Sequence, residues 1–367
     1  MNSRERVLKA LKIVPGLPDR VPIQFDLCKQ HLEYFGKKFS LPVSITDNLY
    51  EDVTWRISGN EIRIAMGSDV VVVGAAVADD FTREIRDDGT WLNEYGMVMR
   101  QGPIYVDVVG YPLANAQTQA DVDAYNFPDP YAPGRYREVE RLVAEYKDRY
   151  FIIGDIEVTI FSLAQQLVGL EKLLIDMMLG AEYVQPLFKK CAEFQTKVAA
   201  ELIKRGVDAI WYGDDFGTQN SLLMPPDIFK EQVKPWYTQM NQELKKLNPD
   251  IVLILHSDGA VAPLLPDVKE MGFEVFNPVQ PDVPGHSAKE IKDGFGDMFA
   301  FWGAIDQQKL LPFGTDEELE ADIVDKINTL GAGGGYMIAP AHIIQSDVSP
   351  ERVEKFIELC KKHAFIY

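Results

Sequence analysis

The chain has 367 residues, of which 46% are hydrophobic and 25% charged, as is usual for a globular protein with a large core. With 37 basic and 56 acidic residues, its net charge is −19, and no basic run occurs. This charge argues against nucleic acids and anionic membrane surfaces as partners.

Cysteine content and the first residues indicate the compartment. Three scattered cysteines form neither a disulfide framework nor a Cys-x-x-Cys pair. The first residues, MNSRER, predict a charged helix rather than a signal peptide, and no apolar run approaches membrane-spanning length. We therefore expect a cytoplasmic protein.

The first third of the chain predicts two strands and an insertion. The strands are expected at 21–26 and 68–74, with helices over 2–12, 28–35 and 46–56. Residues 81–112 alternate as in a small antiparallel hairpin unit, with a tight turn at Asp88-Gly89. A loop over 126–135, rich in proline, closes this insertion before a helix over 135–148.

From residue 151 onward, strands and helices alternate regularly. Strands are predicted at 151–155, 209–214, 252–256, 274–277, 299–305 and 335–339. Helices are predicted at 162–178, 181–205, 226–247, 260–270, 287–293, 316–330 and 350–363. Eight strands mostly followed by helices predict a single (β/α)₈ TIM barrel domain over 1–367, with the 81–112 hairpin insertion after strand 2. A doubly wound open sheet is the alternative, but no Gly-x-Gly-x-x-Gly follows the first strand.

The stretch 251–259, IVLILHSDG, combines a buried strand with a sudden change of polarity. Because side chains alternate along a strand, His256 and Asp258 should point to the same side. An imidazole beside a carboxylate can hold a metal or perform acid–base catalysis. The alternative interpretation is an ordinary strand end, with Ser257 or Asp258 capping the next helix.

Other polar residues follow the predicted strands, where barrels of this type carry their active sites. They are Asp26, Asp155 with Glu157, Asp214 with Asp215, Gln280, Asp306 and His342. Such a rim suits a divalent cation or general acid–base catalysis, although Asp155 and Asp306 are equally typical of helix caps.

Five segments in order resemble the uroporphyrinogen decarboxylase superfamily over nearly the whole length. They are GSDV at 67–70, GVDAIWYGDD at 206–215, LHSDG at 255–259, FWGAID at 301–306 and GGGYMIAPAH at 333–342. The resemblance independently implies the (β/α)₈ barrel. The superfamily also contains methyltransferases that act on methylated corrinoid proteins.

The decarboxylase branch carries an Arg-Gln-Ala-Gly-Arg stretch after strand 1, whose arginines meet the carboxylates of the substrate. This chain has DLCKQH at 26–31, without arginine. A substrate with eight acidic side chains needs cationic partners. The resemblance therefore favours the methyltransferase branch, although Asp69 and His342 resemble a decarboxylase aspartate and histidine.

In the methyltransferase branch, a His-x-Cys pair and a later cysteine bind zinc. Here His256, Asp258 and His342 occupy the matching positions, with Glu157 as a second candidate carboxylate. Both thiolates are thus replaced, so that zinc is either bound by harder ligands or lost. A thiol acceptor would favour a sulfur-rich site, so we expect an oxygen- or nitrogen-linked methyl group.

The resulting hypothesis is a methyltransferase that moves a methyl group between a small O- or N-methylated substrate and the cobalt of a separate corrinoid protein. Catalytic roles are expected for His256, His342 and Asp214. Substrate-binding roles are expected for six residues on or beside the strands: Asp26, Asp69, Asp155, Tyr212, Asp215 and Trp302. The alternatives are a uroporphyrinogen decarboxylase-like enzyme and a non-catalytic barrel that binds a tetrapyrrole or a corrinoid protein. Whether the chain is a monomer or a homodimer is left open.

Overall fold

A computed structural model gives the structure of the protein and describes residues 1–48, 54–102 and 106–367. Its strands, in chain order, are β1 Val70–Gly74, β2 Trp91–Leu92, β3 Val98–Gln101, β4 Val106–Gly110, β5 Phe151–Glu157, β6 Ala209–Gly213, β7 Val252–His256, β8 Val275–Val279, β9 Ala300–Ile305 and β10 Tyr336–Pro340. All the strands predicted from 68–74 onward are confirmed.

Most of the predicted helices are present, together with short helices at 60–66 and 119–124 that were not predicted. They are α1 Ser3–Ala10, α2 Lys29–Phe39, α3 Asn60–Met66, α4 Gln119–Ala124, α5 Arg137–Tyr146, α6 Phe161–Val168, α7 Leu170–Leu179, α8 Val184–Lys204, α9 Pro226–Ile228, α10 Lys234–Leu247, α11 Leu265–Glu270, α12 Ala288–Phe295, α13 Leu310–Phe313, α14 Asp316–Leu330 and α15 Pro350–His363. A π-helical turn, Phe229–Val233, joins α9 to α10, and a 3-10 turn, Ala262–Leu264, precedes α11. The middle of the helix predicted over 46–56 lies outside the described residues.

Within the described residues, seven strands form one curled parallel sheet in the order β1-β5-β6-β7-β8-β9-β10. The sheet is not a closed eight-stranded barrel, which corrects that part of the prediction. The segment expected as the first strand is extended but makes only isolated bridges to the last strand and the loop after it, at Ile23–Ile338 and Leu27–Ile344. On its other side, the backbone N–H of Asp69 donates to the carbonyl oxygen of Ile23, at 2.9 Å.

The insertion after β1 is confirmed as an antiparallel unit. In the described part of the chain, β2, β3 and β4 form a separate three-stranded sheet, and the tight turn at Asp88-Gly89 precedes it. Gly89 has a φ of 77°, a left-handed conformation that glycine adopts without steric cost.

The core has two layers because the parallel strands are buried on both faces. Side chains such as Val70, Val72 and Ile254 pack inside the curled sheet. Their neighbours Val71, Val73 and Leu255 pack outward against the helices. Helix α1 covers the amino-terminal end of the sheet, where Val7 and Leu11 join the inner layer. The carboxyl-terminal end of the sheet is therefore the end at which a functional site can lie.

No helix among the described residues is both long enough and apolar enough to cross a membrane.

Asp69 lies at the amino-terminal end of β1, where it ties the extended 21–26 segment to the sheet. Its buried carboxylate accepts hydrogen bonds from Ser3, Arg6, Arg20 and the backbone N–H of Ile23, at 2.7–2.9 Å. This end of the sheet is opposite to the carboxyl-terminal mouth. A substrate-binding role for Asp69 therefore does not fit its position, because the residue precedes its strand instead of following it.

We expect Asp69→Ala to lower the free energy of unfolding by about 3 kcal/mol, since it leaves buried donors without their acceptor. Urea denaturation measures this change. The exposed Asp80 provides the control, and Asp80→Ala should stay within about 0.5 kcal/mol of the unchanged protein. A loss below about 1 kcal/mol for Asp69→Ala would contradict the structural role.

Candidate metal centre

His256 ends β7 with its side chain directed into the inner layer, as alternation along the strand predicts. Its Nδ1 lies 2.7 Å from Oδ1 of Asn277, at the matching position of the neighbouring strand β8. The indole N–H of Trp211 donates to the same atom, at 3.3 Å, and this donor-only group identifies the atom as oxygen. His256 therefore carries its proton on Nδ1 and leaves Nε2 free to bind a metal.

His342 and Asp258 complete a cluster with His256. One ligand atom from each lies within 4.8 Å of those from the other two, and the two imidazole centroids are 5.9 Å apart. Tetrahedral zinc, with bonds of about 2.0–2.1 Å, requires ligand atoms about 3.4 Å apart. Zinc binding would therefore require the side chains to bring their ligand atoms closer together than in this structure. Three residues from the ends of two strands, β7 and β10, are thus brought together, as the sequence predicted.

The electrostatics of the cluster suit a cation. Burial, together with nearby positive charge, lowers the pKa of both His256 and His342 to about 3, so both imidazoles are neutral at neutral pH. Burial and the neighbouring Asp215 carboxylate raise the pKa of Asp258 well above its ordinary value. A divalent cation would relieve this repulsion and accept the free imidazole nitrogens. The donor set therefore fits zinc, with Asn277 orienting one ligand.

Asp215 lies beside the cluster. Its Oδ1 accepts a hydrogen bond from the backbone N–H of Asp258, at 2.8 Å, and lies 3.8 Å from Nε2 of His256. Oδ2 of Asp258 is at a similar distance, 3.9 Å, from the same nitrogen. The structure thus brings Asp215 to the cavity, where it remains a candidate for contact with substrate.

A cavity of about 550 Å³ opens onto this cluster. Its walls include His256, His342, Asp215 and Glu157 at the strand ends. The antiparallel insertion supplies the opposite wall, with Met99 and residues 106–108. The sequence predicted the insertion but gave no sign that it faces the site.

Glu157 and Asp155 lie next to the cluster without joining it. Glu157 lines the cavity, and its carboxylate accepts a hydrogen bond from the Thr54 hydroxyl at 3.1 Å. Burial raises the pKa of Glu157 to about 8 and that of Asp155 to about 6, against the opposing effect of Arg56. Asp155 lies deeper, where it accepts a hydrogen bond from the backbone N–H of Glu157 at 2.7 Å. Glu157 is therefore a cavity residue and Asp155 supports it.

Arg56 is the residue that sequence reasoning missed. Its guanidinium lies 3.7 Å from the ring centroid of Trp211, which in turn lies 4.8 Å from the imidazole of His256. Its Nε donates to Asp26 at 3.1 Å, and Nη1 lies 3.8 Å from Glu157. No strand end or motif marks position 56, so the sequence carries no signal for this role.

Asp26 belongs to the same buried network. Its carboxylate accepts hydrogen bonds from Arg56, Arg63 and Gln24, at 3.1, 2.5 and 2.9 Å. With three protein donors and a buried position, it holds the two arginines below the mouth. A direct substrate-binding role for Asp26 does not fit this arrangement.

Asp214 and Tyr212 point away from the cavity. The Asp214 carboxylate accepts hydrogen bonds from the backbone N–H groups of Ile160 and Ser162 and from the Tyr237 hydroxyl, at 2.5–3.0 Å. It thereby fixes the start of α6, and a catalytic role does not fit. Tyr212 packs in the outer layer, where its hydroxyl donates to Asn241 at 2.6 Å. Its neighbour Trp211 is the residue that faces inward.

Trp302 faces the inside of the sheet, but at a deeper level than the cavity. It packs in the inner layer, and its indole N–H donates to Gln24 at 3.1 Å. Its place is the floor below the site rather than the wall of the cavity.

Comparison with known proteins identifies the family. The family model described as uroporphyrinogen decarboxylase (URO-D) matches residues 104–363. The chain belongs to the uroporphyrinogen decarboxylase family. No curated protein sequence matches it significantly.

The solved structures support the fold. A methyltransferase from Methanosarcina mazei is similar over 99% of both chains, with a TM-score of 0.73 and 18% sequence identity. A cyclic α-maltosyl-(1→6)-maltose hydrolase from Arthrobacter globiformis reaches a TM-score of 0.42 at 11% identity, over 94% of this chain and 82% of that one. A β-glucosidase from Pyrococcus furiosus reaches 0.42 at 9% identity, over 83% of each chain. The last two similarities are too weak to bear on function.

We expect the purified protein to contain about one zinc ion per chain, because three ligands converge at an open cavity. His256→Ala and His342→Ala should lose the metal, as measured by mass spectrometry of the metal content after dialysis. His363 lies on the C-terminal helix α15, where its Nε2 is 2.6 Å from Oε1 of Glu320. The control variant His363→Ala should keep the zinc. Zinc retained by both site variants would place the metal elsewhere.

The hydrogen bond from His256 to Asn277 gives a separate prediction. Asn277→Ala should weaken zinc binding by about 10- to 100-fold, because the imidazole loses the acceptor that fixes its proton and orientation. Competition with a chromophoric chelator measures the affinity. Asn277→Asp keeps an acceptor oxygen and should restore most of the affinity, whereas an unchanged affinity in Asn277→Ala would exclude this role.

Proposed function

We propose that the protein is a methyltransferase that moves a methyl group between a small O- or N-methylated substrate and the cobalt of a corrinoid held by a separate protein. The observation that carries the proposal is the His256, Asp258 and His342 cluster at the wall of a 550 Å³ cavity. The family membership and the shared fold with a methyltransferase support it.

The metal would serve the substrate rather than the fold. A zinc ion held by His256, Asp258 and His342 would supply a Lewis acid that polarises the oxygen or nitrogen bearing the methyl group. The residues around it fix its position: Asn277 orients His256, and the backbone N–H of His342 donates to Gln307 at 3.0 Å. Neutral imidazoles keep both ligands available at neutral pH.

The cavity suits a small substrate that is neutral or positively charged. Its volume lies within the range of about 300–1,000 Å³ common for small-molecule sites. Among the described residues that line it, three are acidic, Asp107, Glu157 and Asp215, and none is Lys or Arg. A porphyrinogen with many carboxylates would need exposed cations here, whereas the nearby Arg56 and Arg63 are buried and bonded to Asp26.

The methyl acceptor must come from outside the cavity lining. All three cysteines are buried, and burial raises the pKa of each thiol. No described residue of the cavity is a strong nucleophile, while cobalt(I) in a corrinoid is one. The Asp-x-His-x-x-Gly sequence by which many corrinoid proteins ligate cobalt does not occur in the 367 residues. We therefore propose that the corrinoid is carried by a separate protein that docks at the carboxyl-terminal mouth.

Incubation with cob(I)alamin, zinc and a panel of methoxylated aromatic and methylamine substrates should produce methylcobalt, followed by its visible spectrum. In the reaction, the bond from carbon to the heteroatom breaks with its electron pair on the heteroatom, and the cobalt(I) pair forms the new bond to carbon. His256→Ala should lower the rate at least about 100-fold, and His363→Ala should leave it unchanged.

Absence of methyl transfer in either direction across the panel, with zinc bound, would contradict the proposal. Retained corrinoid binding in that case would favour the non-catalytic binding barrel.

A further inference from the structure

A second cavity, of about 310 Å³, adjoins the metal centre. Four glutamines, Gln219, Gln280, Gln307 and Gln308, contribute to its lining together with Asp258 and His342. His342 also lines the larger cavity, so its imidazole forms part of the wall between the two. The metal centre is thus accessible from two separate compartments of different chemistry.

The glutamines are held in place by the protein on one side and present amide groups on the other. Gln280 accepts a hydrogen bond from the backbone N–H of Gly259, at 2.7 Å, and donates to Gln219 at 3.1 Å. The Oε1 of Gln307 accepts from the backbone N–H of His342 at 3.0 Å. Among the described residues, no protein partner engages the Nε2 groups of Gln219 and Gln307 or the side-chain amide of Gln308, which is exposed.

We propose that this cavity, lined by amides, receives the carboxamide side chains on the edge of the corrin ring, while the larger cavity holds the methylated substrate. The inference rests on the proposed function and assigns the two reactants to the two compartments. A corrin ring bears primary carboxamides around its edge, which are neutral and offer both donors and an acceptor. Glutamine side chains carry the same primary amide, so they can both donate hydrogen bonds to these carboxamides and accept hydrogen bonds from them.

The direction of methyl transfer supports two compartments. A methyl group moves by in-line displacement, with the leaving heteroatom and the attacking cobalt on opposite sides of the carbon. The electron pair of cobalt(I) forms the new bond while the pair of the broken bond stays on the heteroatom. The heteroatom would lie at the metal and the cobalt on the far side of the methyl carbon, so a corrin edge held in the smaller cavity leaves the larger cavity free for the substrate.

The larger cavity suits the corrin edge less well. Its lining combines the apolar Met99, Val106 and Val108 with the acidic Asp107, Glu157 and Asp215. In its described lining, Gln165 and Gln166 supply the side-chain amides, against four glutamines in the smaller cavity. Fewer side-chain amide donors are therefore available here for the carbonyl oxygens of the carboxamides. The smaller cavity offers donors for those oxygens.

The double variant Gln219→Leu with Gln308→Leu tests the assignment. Both residues are exposed and lie outside the metal cluster, so the fold and the metal ligands are kept. The probe is cobinamide, which retains the corrin carboxamides, with its binding to zinc-loaded protein measured by calorimetry. We expect about tenfold weaker binding, since each lost neutral hydrogen bond costs a few-fold in affinity. The exposed Gln117 lies outside the lining of this cavity, and Gln117→Leu is the matched control with unchanged affinity.

A second probe separates amide recognition from general contact with the ring. The heptamethyl ester of cobyrinic acid keeps carbonyl acceptors but lacks amide donors, so the double variant should weaken its binding less than that of cobinamide. Failure of the unchanged protein to bind cobinamide, an equal affinity in the double variant, or the same loss in Gln117→Leu would overturn the proposal.

Failure of this inference can be told apart from failure of the proposed function. If no substrate is demethylated but cobinamide binding still depends on Gln219 and Gln308, the corrin compartment stands and the methyltransferase proposal falls. If methyl transfer occurs and the double variant raises the KM of the methylated substrate instead of weakening cobinamide binding, the assignment of the two cavities is overturned.

Discussion

The buried guanidinium of Arg56 is the interaction on which the mouth of the sheet depends. Stacked 3.7 Å from the Trp211 ring centroid, it is a cation shared by three carboxylates, those of Asp26, Asp155 and Glu157. Without a buried cation, these groups would repel one another in a region of low dielectric. Its positive charge also favours the neutral form of His256 and His342, since it disfavours their protonation.

At the mouth of the sheet, this arrangement separates a structural floor from the candidate metal cluster. Asp26 and Arg56 form a fixed floor, together with Trp211, and their polar groups are largely engaged by protein. The cluster of His256, Asp258 and His342 lies beside this floor, with its ligand atoms directed to one another and to the cavity. Because Asn277 holds His256 from behind, the free imidazole nitrogen faces the cavity, as a metal centre with an open position requires.

The alternation of strands and helices predicted the order of the elements well, and the pattern of His256 and Asp258 correctly predicted that these two side chains lie together. The sequence could not assign the inward face of β6, because all five of its residues are buried and no polar alternation marks either side. The sequence pattern therefore assigns Tyr212 and Asp214 to the site, whereas the inward positions belong to Trp211 and, after the strand, Asp215. Asp69 was misjudged for a different reason, since it precedes its strand and lies at the opposite end of the sheet.

Arg56 and Asn277 show a second limit of sequence reasoning. Their roles depend on contacts with residues far away in the chain, such as Trp211 for Arg56 and His256 for Asn277. The smaller, glutamine-lined cavity could not be predicted from the sequence for the same reason, because its four glutamines come from three separate loops. Periodicity reveals which elements form, whereas such contacts follow from how the elements pack.

X-ray absorption spectroscopy at the zinc edge of the purified protein tests the central claim most directly, namely a metal centre built from nitrogen and oxygen ligands. The account predicts nitrogen and oxygen neighbours at about 2.0–2.2 Å, with a pattern typical of two imidazoles, and no sulfur neighbour at about 2.3 Å. A sulfur neighbour at that distance, or a zinc site without imidazole, would contradict the assignment of His256, Asp258 and His342.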